Sequence, residues 1–324
     1  MAKGLRVSGS RYASILRGTD RVNLPVACEL EPADRIDHEP HPVETAVPRT
    51  VLICHADDAL NREGLARWLG ATTNLAAIVV LEEPPSRMKQ RIRREIKRVG
   101  WLRFVDVLAF RLYYKLFLAK QDRVWEEQTL MRLCSRYPMI GPETRILHAP
   151  SPNAPEVEAL LRDVEPDIVI ARCKTLLKES VFSIPTRGTF VMHPGICPQY
   201  RNAHGCFWAL ARQDREHVGM TLLKIDRGVD TGPVHGYFHC KFDEQVDSHH
   251  VIQHKVVFDN LEQIGARLLD IYHDRSVPID TRGLPSGEWG QPWLTAYLRY
   301  QKRDRKSTRL NSSHIPLSRM PSSA

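Results

Sequence analysis

The run from Phe190 to Val234 constrains this chain more than any other stretch. It opens FVMHPGICPQYRNAHGCFWAL, turns through polar residues at 213–217, and closes VGMTLLKIDRGVDTGPV. β-Forming residues end at His193 and a loop holding Pro194, Gly195 and Pro198 follows. An apolar helical stretch, a second strand and Asp230, bracketed by Gly228 and Gly232, complete the pattern. This order is expected to bring a histidine and a carboxylate to the ends of two strands. Such a pair performs acid/base chemistry, because the carboxylate fixes the imidazole tautomer and holds its charged form.

At these positions the chain resembles the formyltransferase family, whose members move a formyl group from 10-formyltetrahydrofolate to an amine. The matching residues are Val191-Met192-His193-Pro194, Cys197-Pro198-Gln199-Tyr200-Arg201-Asn202, Trp208-Ala209, Gly219-Met220-Thr221 and Asp230-Thr231-Gly232-Pro233. Their order and spacing agree with the family pattern, which is more specific than any single glycine-rich loop. The resemblance implies a Rossmann-like α/β formyltransferase fold: a mostly parallel sheet with helices on both faces, here with a helical insertion.

By the same resemblance, His193 donates to or protonates the developing oxyanion. Asp230 holds His193 charged and helps remove the amine proton. Pro194, Pro198, Tyr200, Arg201, Asn202, His204 and Gly232 line the substrate and cofactor channel. One departure stands out: the family asparagine two residues before the histidine is Val191. Valine carries no donor, and one lost oxyanion donor typically costs on the order of 10²–10³ in rate. Asn202 and His204 are the two replacements that could supply the missing contact. Cys197 stands in place of a leucine and is read as packing.

With 324 residues, 42% hydrophobic and 26% charged, the chain has enough apolar content for one large or two small domains. No apolar run reaches transmembrane length, and the first residues lack the apolar core of a secretion signal. Seven scattered cysteines without a CxxC pair read as reduced thiols, so the expected location is the cytoplasm. The net charge of +8 is not taken as a nucleic-acid signature. Residues 304–324, DRKSTRLNSSHIPLSRMPSSA, resemble the translated read-through of a sequencing adapter and supply four Lys/Arg against one Asp.

Along the chain, residues 1–48 are read as a loosely ordered extension and 49–275 as the catalytic domain. A C-terminal arm over 276–303 and an artefactual tail over 304–324 follow. Thr50 onward, a helix near Leu60 to Leu69 and Ala76 to Leu81 predict strand, helix, strand, the opening of a doubly wound sheet. GxGxxG is absent, so no nicotinamide cofactor is expected. The polar cluster Cys54, His55, Asp57 and Asp58 reads as a helix cap, with a substrate contact as the other reading.

Residues 85–136 predict helices whose first third is strongly basic. Two readings stand: an insertion packed on the sheet, or a basic amphipathic surface, within 85–120, that meets anionic lipid or a partner protein. Arg172 and Lys174 read as solvated charges at a strand end or as contacts to the cofactor's glutamate tail. His239 to Phe242 is a candidate strand and Ser248 to Tyr272 one amphipathic helix capped by Ser248 or Asp247. His250 and His254, at i and i+4, could share a metal face. No HExxH pattern accompanies them, so they are read as packing or surface histidines and no metal is expected.

Only some sixty residues separate Cys240 from the suspect tail, which favours a small-molecule amine acceptor over tRNA, with no nucleic-acid partner expected. Two other activities remain: a hydrolase releasing formate from the same cofactor, and a weakly catalytic folate- or partner-binding relative.

Overall fold

The computed structural model describes residues 46–137 and 139–313. The 1–45 part of the predicted extension and residues 314–324 of the tail lie outside the described residues.

Seven strands form one sheet: β1 Arg49–His55, β2 Asn74–Leu81, β3 Arg145–Ala149, β4 Ile168–Arg172, β5 Gly188–His193, β7 Met220–Lys224 and β8 Val234–Phe238, in the order β3-β2-β1-β4-β5-β7-β8. The first five are mutually parallel; β7 opposes β5, and β8 opposes β7. The central strands read as continuous apolar runs because both faces are covered. Val51, Leu52 and Ile53 of β1 and Val169 and Ile170 of β4 are fully buried, each side chain contributing about 1.5–3 kcal/mol. This is the mostly parallel α/β sheet with helices on both faces that the sequence implies.

Strand order reverses between β1 and β4, the place where open α/β sheets bind ligands beyond their carboxyl ends. The two strand exits are tied there by the Lys174 N–H, which donates to His55 Nε2 at 3.0 Å. The helix after β1 begins with a π-helical turn over Leu60–Leu65 and continues as α1, Ala66–Thr72. Asp58 Oδ1 accepts from the Asn61 N–H at 3.0 Å, so the acidic cluster does supply the helix-start contact.

Between β2 and β3 run three helices, α2 Pro85–Val99, α3 Trp101–Phe117 and α4 Ala119–Arg136. Phe104, Val107 and Phe110 of α3 are buried, but Trp101, Leu102, Val105, Leu108, Leu112 and Leu116 are exposed. An insertion packed on the sheet therefore describes only one side of α3. No helix among the described residues is long and apolar enough to cross a membrane.

Helix α5, Pro155–Val164, precedes β4, and the short α6, Glu179–Phe182, precedes β5. After β5 come the short strand β6, Arg201–Asn202, and α7, Gly205–Ala211. The strand sought at His239 to Phe242 lies earlier: β8 ends at Phe238. The single helix over Ser248 to Tyr272 is two, α8 His249–Phe258 and α9 Leu261–Tyr272. Asn260 makes the break, its amide donating to the carbonyls of His239 at 3.0 Å and Val256 at 2.9 Å. Ser248 caps α8, accepting from the Val251 N–H at 3.1 Å.

In the arm, β9 (Glu288–Trp289) pairs with β6, and α10 begins at Leu294 and packs against α3 and α7.

Candidate active site

His193 ends β5 and is almost fully enclosed. Its Nε2 lies 2.8 Å from the Tyr200 carbonyl, and its Nδ1 faces Asp230 Oδ2 at 3.4 Å, an ion-pair separation rather than a tight hydrogen bond. Both ring nitrogens thus meet oxygen acceptors.

Asp230 does not sit at a strand end. Pairing sets Thr221 against His193 and Lys224 against Phe190, so β7 runs away from the histidine and the β7–β8 connection must fold back to return the carboxylate. Two contacts pin this loop from the β6 side. The Asn202 N–H donates to Asp230 Oδ2 at 2.8 Å, and Arg201 Nη1 donates to the Val229 carbonyl at 2.8 Å. Inside the loop, Asp226 accepts from the Gly228 N–H and the Thr231 hydroxyl. A side chain at Gly232 would place its Cβ 1.9 Å from the Lys224 carbonyl, so only glycine allows the loop to lie against β7.

A second close approach fixes the histidine. The Cβ of any residue at Gly195 would lie 2.5 Å from the Tyr200 carbonyl and 2.8 Å from His193 Nε2. The carbonyl of Pro194 accepts from the Cys206 N–H, and that of Pro198, which follows a cis peptide, from the Gly287 N–H. Tyr200 is buried, donates its hydroxyl to Asp214 at 2.6 Å and stacks on Trp289. Burial raises its pKa further above the usual tyrosine value.

The two residues considered as replacements for the missing amide are both occupied. Asn202 Nδ2 donates to the Trp289 carbonyl at 2.7 Å, and it is the backbone of Asn202, not its side chain, that serves Asp230. His204 Nδ1 lies 3.3 Å from Gln253 Nε2, and burial pushes its imidazole down to about 4. Strand alternation puts Val191 on the same face as His193. Val191 packs against an apolar cluster of Cys197, Leu223 and Val234 together with Tyr237. Cys197 is buried, and burial raises its thiol pKa, in keeping with a packing role.

Arg172 overturns the reading of a solvated charge. Its guanidinium is enclosed, donating to Asn61 Oδ1 at 3.0 Å and to the carbonyl of Met192, the residue before His193. Burial lowers its pKa. It locks β4, β5 and the helix after β1 together beneath the site. Lys174, by contrast, is exposed.

Sequence reasoning missed one neighbour of the paired histidines on α8. Glu126 of α4 faces them: His250 Nε2 is 3.0 Å and His254 Nε2 3.7 Å from Glu126 Oε1, and the two imidazole nitrogens are 3.3 Å apart. The hydrogen bond from His250 lowers the Glu126 pKa, and burial brings His254 down to about 4. Glu126 lies in a different helix and no local spacing signals it.

The formyl transferase family model matches residues 119–264. Among curated proteins, the chain is 39% identical over 82 residues to the methionyl-tRNA formyltransferase of Dehalococcoides mccartyi strain CBDB1, covering 25% of this chain and 26% of that one. It is 32% identical over 133 residues to the methionyl-tRNA formyltransferase of Geobacter metallireducens, covering 40% of each. The chain thus spans well under half the length of these relatives. Among solved structures, glycinamide ribonucleotide transformylase 1 of Symbiobacterium toebii superposes with a TM-score of 0.46 at 12% identity, covering 73% of this chain and 92% of that one. The family-model match runs from α4 to α9 and encloses both His193 and Asp230.

Proposed function

We propose that this protein transfers a formyl group from 10-formyltetrahydrofolate to the amine of a small-molecule acceptor in the cytoplasm. The observation that carries the reading is the enclosed His193–Asp230 pair, held by the Tyr200 carbonyl and the Asn202 N–H. Attack of an amine nitrogen on the formyl carbon puts negative charge on its oxygen, and the protonated His193 is the donor available to it. That oxygen must compete with the Tyr200 carbonyl for the Nε2 hydrogen. Asp230 keeps Oδ2 toward His193 and Asn202; its carboxylate accepts the proton that the amine loses.

Pro194, Pro198, Tyr200, Arg201, Asn202, His204 and Gly232 build the walls more than they touch the chemistry. Their polar groups hold one another, so the substrates meet a shaped channel. A small acceptor is supported by the arm, which covers this loop through Trp289 on Tyr200 and Gly287 on Pro198. The cytoplasmic reading rests on the scattered cysteines of the sequence, which lack a CxxC pair.

The test is turnover of 10-formyltetrahydrofolate by the full chain with a panel of amines, against His193→Ala and Asp230→Ala. Formylated product that vanishes in both variants is the expected result. Acceptor-independent release of formate would replace transfer by hydrolysis. A second reading rests on Val191: its apolar setting removes a donor and suits a folate-binding relative with little catalysis, which tight binding without turnover would establish.

Peripheral contact through residues 85–120 belongs to the same proposal. Trp101, Val105, Leu108, Leu112 and Leu116 form a stripe at three- and four-residue spacing, each between 43% and 65% exposed, beside the basic α2. Such a pairing suits an anionic membrane surface. Sedimentation with phosphatidylglycerol vesicles, weakened by Leu108→Glu with Leu112→Glu, is expected. Failure to sediment at low salt would remove the membrane from the account.

A further inference from the structure

Glu126, His250 and His254 converge between α4 and α8, with His250 Nε2 within reach of both other groups. The facing atoms are one carboxylate oxygen and two imidazole nitrogens, and their separations are 3.0, 3.3 and 3.7 Å. The His250 Nε2 hydrogen can serve Glu126 or His254 but not both well. The acceptor not chosen is left without that hydrogen. His254 Nδ1, on the other side of its ring, is buried without a hydrogen-bond partner.

The separations are those of a coordination sphere. Ligands about 2.0–2.1 Å from a tetrahedral cation lie roughly 3.3 Å from one another, and the three observed distances straddle that value. The two histidines come from successive turns of α8 and the carboxylate from the packed face of α4. The donors are therefore set on two rigid helices rather than on a loop. Side-chain exposures of 30% at His250 and 35% at Glu126, against 16% at His254, leave an entry route from solvent.

We propose that Glu126 Oε1, His250 Nε2 and His254 Nε2 bind a first-row divalent cation of the zinc class, with a fourth position open to water or a ligand. Two nitrogens and one oxygen suit zinc or cobalt better than magnesium or calcium, which favour all-oxygen sets. Three protein ligands with one position open is the arrangement of reactive rather than purely structural zinc sites. Asp58, at the carboxyl end of β1, is within electrostatic reach of both Glu126 and His254. The missing outer partner on His254 Nδ1 predicts weaker retention than in closed four-ligand sites, since such partners commonly contribute 10–100-fold in affinity.

The inference is independent of formyl transfer and is tested on untagged full-length protein dialysed against buffered free Zn²⁺, with bound metal counted by mass spectrometry. About one equivalent is expected, and Glu126→Gln and His254→Gln should each weaken binding by roughly tenfold or more. Cobalt substitution is expected to give tetrahedral visible bands without a thiolate charge-transfer band. That readout needs no variant and stands even if a substitution unfolds the chain. No metal retained at micromolar free zinc, a thiolate band, or full binding in His250→Gln/His254→Gln protein would each overturn the site.

Discussion

The Asn202 backbone N–H donates to Asp230 Oδ2 at 2.8 Å, and this same oxygen is the one turned toward His193 Nδ1. A two-residue strand in one loop thereby sets the carboxylate of another, and the carboxylate sets the imidazole. Both Asn202 and Asp230 have positive φ, 79° and 51°, a conformation that Asn and Asp tolerate better than most residues.

Asp230→Asn should separate charge from shape. With its oxygen in the place of Oδ2 the amide can still accept from the Asn202 N–H and face His193, but it is uncharged and cannot take the amine proton. Loss of this acid/base partner is expected to lower kcat by about 10²–10⁴-fold with little change in KM. A steady-state assay of tetrahydrofolate formation reads this, and a loss below threefold would remove Asp230 from the proton path.

Val191→Asn tests the most telling departure from the family pattern. The new amide would stand on the His193 face of β5, and a correctly aimed oxyanion donor raises the rate by about 10²–10³-fold. It would also enter the apolar cluster of Cys197, Leu223 and Val234. An unsatisfied buried amide there costs about 1–3 kcal/mol. Faster turnover with a lower melting temperature is the expected pair of results; destabilisation without a gain in rate would show that Val191 is structural.

Arg172→Met removes the guanidinium that joins Asn61 to the Met192 carbonyl. Two enclosed acceptors lose their partner, a loss of about 2 kcal/mol or more in urea unfolding. Because Met192 precedes His193, kcat should fall as well. Unchanged stability would mean that water replaces the guanidinium at no cost.

His204 links stability to pH. Burial brings its folded-state pKa down from 6.5 to about 4, so between these values the unfolded chain binds the proton that the folded chain refuses. Its contribution is therefore whole above about pH 6.5 and is lost as the pH falls toward 4. His204→Asn keeps a residue that tolerates the positive φ of this position. Relative to that variant, the wild type should lose about 2 kcal/mol of stability from pH 7.5 to 5, since one pKa unit corresponds to about 1.4 kcal/mol. Parallel stability curves across this range would contradict the assignment.

Local pattern determined a good deal of this protein. The continuous apolar runs of β1, β2 and β4 announced a sheet covered on both faces. The His193 and Asp230 motifs, with their prolines and glycines, marked the segment that holds the candidate acid/base pair, although they were expected at two strand ends. Those signals are legible because strand alternation and the special backbone needs of Gly, Pro and Asn act over a few residues. Tertiary structure decided the rest. It folded the β7–β8 loop back to His193 and enclosed Arg172 beneath β5. It spent the side chains of Asn202 and His204 on the arm and on α8, leaving Val191 in an apolar setting. It also brought Glu126 to His250 across 124 residues of sequence. Contacts of that span depend on how whole helices pack, and no periodicity within either helix records which residue of the other it will meet.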